Sequence, residues 1–223
     1  MAGTQKNKDK AYQLIRDGII SGAIRAGSSI TEKWFCDYVG MSRTPIREAL
    51  IQLQADNLIK IIDNKGVIIN EITPLDVKEI FQLRILIEPF IVRNRIDAID
   101  RNRVQEYIAR TDCLLRYEDP SVGMKECNIV SEDVNAIHTI IQSASANSRM
   151  INILRNLQTQ IFWVIKRAER IPGRLLKSLI EHRKIADAIL KGDGERAGQV
   201  MTDHLEGALD EMLDHNNYGK IYG

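Results

Sequence analysis

A chain of 223 residues, 44% apolar and 27% charged, has the composition of a globular protein built as one large domain or two small ones. No apolar run approaches the ~20 residues needed to span a bilayer, and no apolar stretch backs the lysines of the first ten residues, so neither a membrane anchor nor a signal peptide is expected. The net charge of +1 is unevenly spread, with ten Lys/Arg against seven Asp/Glu in residues 1–70 and 21 against 23 in the remainder, as suits a nucleic-acid reader joined to something else.

In chain order, Tyr12, Leu14, Ile15, Ile19 and Ile20 have helical spacing, and Gly22 is placed to end that helix. Thr31 is the expected N-cap of a second helix, with Glu32 in its first turn, which stops at Gly40. Ser42 is the expected N-cap of a third, in which Pro45 sits in the first turn and Ile46, Leu50, Leu53 and Leu58 form the buried stripe. The period then changes. Ile59, Ile61 and Ile62 read as a strand, Asp63-Asn64-Lys65-Gly66 as a turn, and Val67 to Ile69 as a returning strand. Three helices and a β-hairpin wing make a winged helix-turn-helix over residues 1–72.

Pro74 marks the exit from the wing, and everything beyond it reads as helix. Apolar residues recur at three- and four-residue spacing over 77–91, 101–117, 124–143, 148–167, 174–191 and 194–213. The expected fold is therefore mainly α, with the winged helix-turn-helix followed by an all-α bundle of about six helices over 73–223. Asp76, Ser148 and Asp193 near helix starts, and Gly173 and Gly192 between helices, punctuate it. Cys36, Cys113 and Cys127 form no C-x-x-C pair and are odd in number; they predict reduced thiols in a cytoplasmic protein.

The side chains suggest chemistry in both segments. Ser42, Arg43, Thr44 and Arg47 occupy the opening of the third helix, the end that enters a major groove. Arginine forms bidentate contacts with guanine O6 and N7, while hydroxyls and N–H groups at a helix start suit phosphate oxygens. Lys33 and Lys65 are placed to clamp the DNA backbone on either side. In the second segment His138, His182 and His204 each lie on an apolar helical face. One such histidine reads as a core residue hydrogen-bonded to backbone; three on separate helices of one bundle read as a site for zinc, nickel or a similar divalent ion. Arg84 interrupts an apolar stripe, either as a buried ion pair with Glu88 one turn on or as a fork for an effector carboxylate.

Gly40-Met-Ser-Arg-Thr-Pro-Ile-Arg-Glu-Ala-Leu50 resembles the recognition-helix motif of the GntR family of bacterial regulators, and Asp63 to Val67 resembles its wing. The resemblance implies DNA-contact roles for Lys33, Arg43, Thr44, Arg47 and Gly66. Two departures stand out: no proline precedes the second helix, and Asn57 replaces the usual glycine before the wing strand, where Asn tolerates a left-handed conformation. Residues 75–213 resemble the helical effector (FCD) domain of the FadR subfamily, through Gln82-Leu83-Arg84 to Glu88, Ser145-Ala146-Asn147, and Glu181-His182 leading to His204. Such domains hold a divalent metal through one Asp and three His, and the Asp position here is Val134. Either the three histidines bind metal with water or effector completing the sphere, or the metal site has decayed.

The expected protein is a repressor that pairs as a homodimer on palindromic double-stranded operator DNA and answers to a small organic acid. Two alternatives stand beside it: a ligand-independent DNA-binding dimer, and a metal-dependent enzyme. The enzyme lacks paired carboxylates near the histidines, H-E-x-x-H, a nucleophile elbow and a phosphate loop, so no catalysis is expected.

Overall fold

The first helix, α1 (Ala2–Ser21), packs along a later helix, residues 43–55, through an apolar stripe that includes Ala11, Ile15 and Ile19. The computed structural model describes residues 2–62, 66–117, 119–217 and 219. Within them the chain divides into two compact units, Met1–Thr73 with residues 156–166, and Pro74–Arg155 with Arg167–Gly223. Among the described residues no helix is long and apolar enough to cross a membrane.

In the first unit, α2 (Glu32–Val39) starts where Thr31 accepts the Trp34 N–H on its side chain. It ends at Gly40, whose φ of 72° turns the chain while its N–H returns to the Cys36 carbonyl. Helix α3 (Arg43–Ala55) follows two residues later and buries Ile46, Ala49, Leu50 and Leu53. Ser42 occupies the N-cap position, yet its side chain makes no cap hydrogen bond, contrary to the expected cap. Asn57 adopts φ 58°, the left-handed geometry anticipated for it, and leads into β2 (Ile59–Ile62).

The wing is larger than the hairpin expected from the sequence. Strand β3 (Gly66–Ile69) lies between β2 and β1 (Ser29–Ile30) in an antiparallel sheet of order β1-β3-β2. Ile59 pairs with Ile69 and Ile62 with Gly66 on one side, and Ser29 with Ile68 on the other. β1 is only two residues long, too short to carry a period, but it satisfies an edge of β3 that a hairpin leaves bare. Asp63, Asn64 and Lys65, the expected turn, lie outside the described residues.

Among the described residues the regular elements of the second unit are all helical. The long helix α4 (Pro74–Asn94) packs along α11 (Gly194–Leu213), which also carries α10 (Arg174–Leu190). Helices α5 (Arg101–Thr111) and α8 (Ala136–Ser143) close the other side, α5 on α10 and α8 on α4. Asp100 and Asp193 cap α5 and α11. Asn147, one residue before Ser148, accepts the N–H groups that open α9 (Ser148–Ala168), a helix whose residues 156–166 are counted with the first unit.

The helix expected over 124–143 is broken in three. Helix α6 (Pro120–Glu126) ends before Asn128, which has φ 52°; α7 (Ser131–Val134) is one turn; and α8 begins after Asn135. A disulfide joins Cys113 to Cys127 across this break, with Cα atoms 6.2 Å apart. The expectation of three reduced thiols is therefore corrected: only Cys36 is free. The fold brings the two cysteines together because α6 doubles back, so that Leu114, Ile129, Val134 and Leu179 share one apolar cluster with Cys127 packed against it.

Candidate DNA-reading and metal sites

Lys33, on α2, and Ser42, Arg43, Thr44 and Arg47, at the start of α3, are all exposed. Lys33, Arg43 and Arg47 line a groove of about 750 Å³ whose far wall includes Ile61 and Gly66 of the wing. Gly66 has φ +104°, and a Cβ there would lie 2.7 Å from the Ile30 carbonyl oxygen. Both facts demand glycine for the sheet itself, whatever the residue contacts beyond it. Lys65 lies outside the described residues. The Gln54 side chain accepts the Ile61 N–H at 2.9 Å and so ties α3 to the wing. Arg47 donates its Nε–H to Glu32 at 2.8 Å, a pairing with no warning in the sequence, where the two stand fifteen residues apart.

The three histidines come together in the second unit. His138 projects from α8, His182 from α10 and His204 from α11, and all three are buried. His182 Nε2 lies 3.1 Å from His138 Nε2 and 3.1 Å from His204 Nε2. Each Nδ1 faces an acceptor instead. His138 Nδ1–H donates to Glu88 Oε2 at 2.5 Å, His182 to the Val134 carbonyl at 2.9 Å, and His204 to Glu181 Oε2 at 2.7 Å.

These acceptors dictate the Nδ1–H tautomer for every ring, so three Nε2 lone pairs point at one another with no proton between them. Burial pushes all three imidazoles below their ordinary pKa, His182 and His204 furthest, and so keeps them neutral. Three neutral imidazoles with anchored outer nitrogens and converging inner ones are a set that could hold a divalent ion such as zinc or nickel. The residues present therefore fit a metal.

Among the described residues no carboxylate side chain completes the set. Val134 stands where the resemblance places Asp, and its side chain belongs to the apolar cluster with Leu114, Ile129 and Leu179. What position 134 contributes is its carbonyl, which accepts from Tyr107 Oη at 3.0 Å as well as from His182. Asp133 is engaged elsewhere, by Arg110 and by the Val130 N–H, each at 2.9 Å.

Of the two readings of Arg84, the ion pair is realised. Arg84 Nε donates to Glu88 Oε1 at 2.7 Å, with both side chains nearly sealed from solvent. Although burial raises the Glu88 carboxyl, Arg84 and His138 together hold it well below the usual carboxylate range. Arg84 Nη2 lies 3.2 Å from His138 Nδ1. With the Nδ1–H given to Glu88, that approach is of two donors and not a hydrogen bond. Arg84 is thus adjacent to the triad. Sequence spacing revealed the histidines and the Arg84–Glu88 pair; the anchoring roles of Glu181 and the Val134 carbonyl arise between helices and left no local signal.

Comparison with known proteins agrees with this architecture. The model of the bacterial regulatory proteins of the gntR family matches residues 7–69, and that of the FCD domain matches residues 79–207. The chain is 28% identical over 196 residues to the Bacillus subtilis HTH-type transcriptional regulator YdhC, covering 87% of this chain and 85% of that one. It is 24% identical over 205 residues to the Escherichia coli HTH-type transcriptional repressor RspR, covering 91% and 87%. A solved Rhodococcus sp. RHA1 structure described as a GntR transcriptional regulator shares the fold, with TM-score 0.72 and 24% identity over 96% of this chain and 98% of that one. These relatives are named as regulators of transcription and not as enzymes. With its two family models covering the two segments in order, the chain belongs to the GntR family of transcriptional regulators and carries an FCD domain.

Proposed function

We propose that this protein is a metal-assisted sensor of the FadR subfamily: a cytoplasmic repressor whose residues 1–72 read operator DNA and whose residues 73–223 bind a small organic acid and pair two copies. The observation that carries the sensing half is the convergence of three lone-pair-bearing Nε2 atoms, each ring anchored from behind. Such an arrangement is unfavourable unless a cation fills it, and a ligand-independent dimerisation domain has no use for it. Zinc or nickel held by His138, His182 and His204 would supply a Lewis-acidic centre for water or effector.

The charge around the triad supports an anionic effector. Three neutral imidazoles do not offset the charge of a divalent ion. Glu88 is already paired with Arg84, and Glu181 with Arg174. A carboxylate bound to the ion would provide the compensation that Val134 does not.

For the DNA half, Ser42, Arg43, Thr44 and Arg47 are exposed on one helix opening, and the Ser42 hydroxyl, making no cap bond, is available to a phosphate. Two such heads on a palindrome require a dimer. Leu83, Leu86 and Phe90, exposed at i, i+3 and i+7 along α4, are an apolar strip suited to self-pairing of the helical domain.

The test has two arms on one preparation of full-length protein. A random duplex library is selected with the chain, and Arg43→Ala and Arg47→Ala are compared with wild type on the enriched sequence. The metal-stripped chain is then titrated with Zn(II) and Ni(II), and small carboxylates are screened by thermal shift with and without metal. Stoichiometric metal and a metal-dependent carboxylate shift support the sensor. Enriched DNA with neither metal nor carboxylate binding leaves the ligand-independent dimer.

A further inference from the structure

Within the DNA-reading face, one side chain has the wrong sign. Glu32 sits on the rim of the groove among Lys33, Arg43 and Arg47, where a carboxylate repels phosphate. It is not there by default of local structure. The Thr31 side chain caps the Trp34 N–H at 3.2 Å and fixes Glu32 as the first residue of α2. From that position Glu32 Oε2 accepts the Nε–H of Arg47, the second-turn arginine of α3, at 2.8 Å.

The pair is asymmetric. The Glu32 side chain is 30% exposed and that of Arg47 is 64% exposed, so the carboxylate is tucked against the protein while the guanidinium stands out. An exposed pair of this kind adds little to fold stability. Its effect falls on geometry. A free arginine samples many rotamers and presents either its Nε/Nη edge or its Nη1/Nη2 end. With Nε already donated, only the Nη1/Nη2 end remains for a bidentate partner.

Resting on the reading that residues 1–72 bind DNA, we propose that Glu32 is a positioning residue for base recognition: it grips Arg47 by Nε and presents the guanidinium end-on to guanine O6 and N7. Glu32 also lowers affinity for DNA of any sequence, because it places a negative charge in the phosphate-facing groove. The first effect raises discrimination by ordering the correct contact; the second weakens binding to every sequence alike and so cancels from the ratio of affinities.

The experiment uses the full-length chain, the duplex it enriches from a random library, variants of that duplex at each base pair, and a scrambled duplex. Fluorescence anisotropy at fixed salt gives the ratio of affinities for enriched and scrambled DNA. Glu32→Ala is expected to reduce that ratio roughly 10-fold, a share of the discrimination one bidentate pair provides, and to tighten binding to scrambled DNA. The loss should fall on the base pair at which Arg47→Ala also loses discrimination. Glu32→Gln keeps an oxygen that accepts Nε–H, and should retain most discrimination while still binding scrambled DNA more tightly. In an Arg47→Ala background, Glu32→Ala should cause no further loss of discrimination.

A Glu32→Ala ratio within two-fold of wild type overturns the proposal, as does an equal loss in the Arg47→Ala background. So does a loss that accompanies a matching drop in melting temperature, which marks a structural role. Failure of the wild-type chain to enrich any sequence removes the DNA-reading assignment itself, and is distinguishable because it precedes every variant.

Discussion

Glu181 offers a direct test of how the histidine triad is held. Its Oε2 accepts His204 Nδ1–H at 2.7 Å and also pairs with Arg174 at 3.2 Å. Arg174 has a second carboxylate, Glu211, at 3.1 Å, so changing Glu181 does not strand a buried guanidinium. The same experiment on Glu88 is confounded, because Arg84 is left buried and unpaired. Loss of an outer partner of a metal-bound histidine lowers metal affinity roughly 10- to 100-fold, or about 1.4–2.7 kcal/mol. Glu181→Gln keeps an acceptor and loses only the charge, so about 10-fold is expected; Glu181→Ala removes the acceptor and should approach about 100-fold. Chelator-competition titrations of the metal-stripped chain with Zn(II) and Ni(II) read this directly, with His204→Ala as the variant that loses the site. Wild-type affinity in both Glu181 variants would refute the claim that Nδ1 anchoring builds the site. Wild-type affinity in His204→Ala would refute the site.

Three further outcomes follow from the same contacts. Cys113 and Cys127 are 14 residues apart, and closing a loop of about 15 residues contributes ~3 kcal/mol by the chain-entropy relation; Cys113→Ser should lose that stability in denaturant melts under oxidising conditions and lose nothing under dithiothreitol, with thiol titration finding Cys36 alone in the oxidised native chain. Arg84→Ala leaves Glu88 charged and buried, so the helical unit should be destabilised by roughly 3–5 kcal/mol in urea melts even without effector. Gly66→Ala forces a Cβ against the Ile30 carbonyl at an unfavourable φ and should cost more than about 1 kcal/mol in the same assay, with a melt equal to wild type counting against the stated role of Gly66.

Local chemistry was legible in the sequence wherever a single residue type dictates a backbone state. Thr31 caps α2, Gly40 turns the chain between α2 and α3, and Asn57 takes the left-handed conformation, each a state its residue type favours or tolerates. The three inward histidines were legible because apolar periodicity gives the buried face of each helix. What escaped depends on partners distant in sequence. β1 is two residues that become a strand only because β3 needs an edge partner. The continuous apolar period over 124–143 hid two breaks, one at Asn128, which takes φ 52°, and one at Asn135 between α7 and α8. Cysteines fourteen residues apart match no metal or redox spacing, so their pairing had no sequence signal.

Val134 shows why a ligand position can change while the site around it stands. An aspartate at 134 would contribute its side chain, whereas the groups that orient this triad are Glu88, Glu181 and a main-chain carbonyl. The carbonyl belongs to the backbone and is indifferent to the side chain at 134, provided α7 and α8 keep their turn. Tyr107 reinforces that turn by donating to the same oxygen. The apolar side chain meanwhile gains a place in the cluster with Leu114, Ile129 and Leu179. Replacing a carboxylate by valine here thus removes one unit of negative charge from the ligand set without releasing any of the three rings. On the proposed reading, the cost would fall on charge balance at the ion and not on geometry, and a carboxylate effector would supply the missing negative charge.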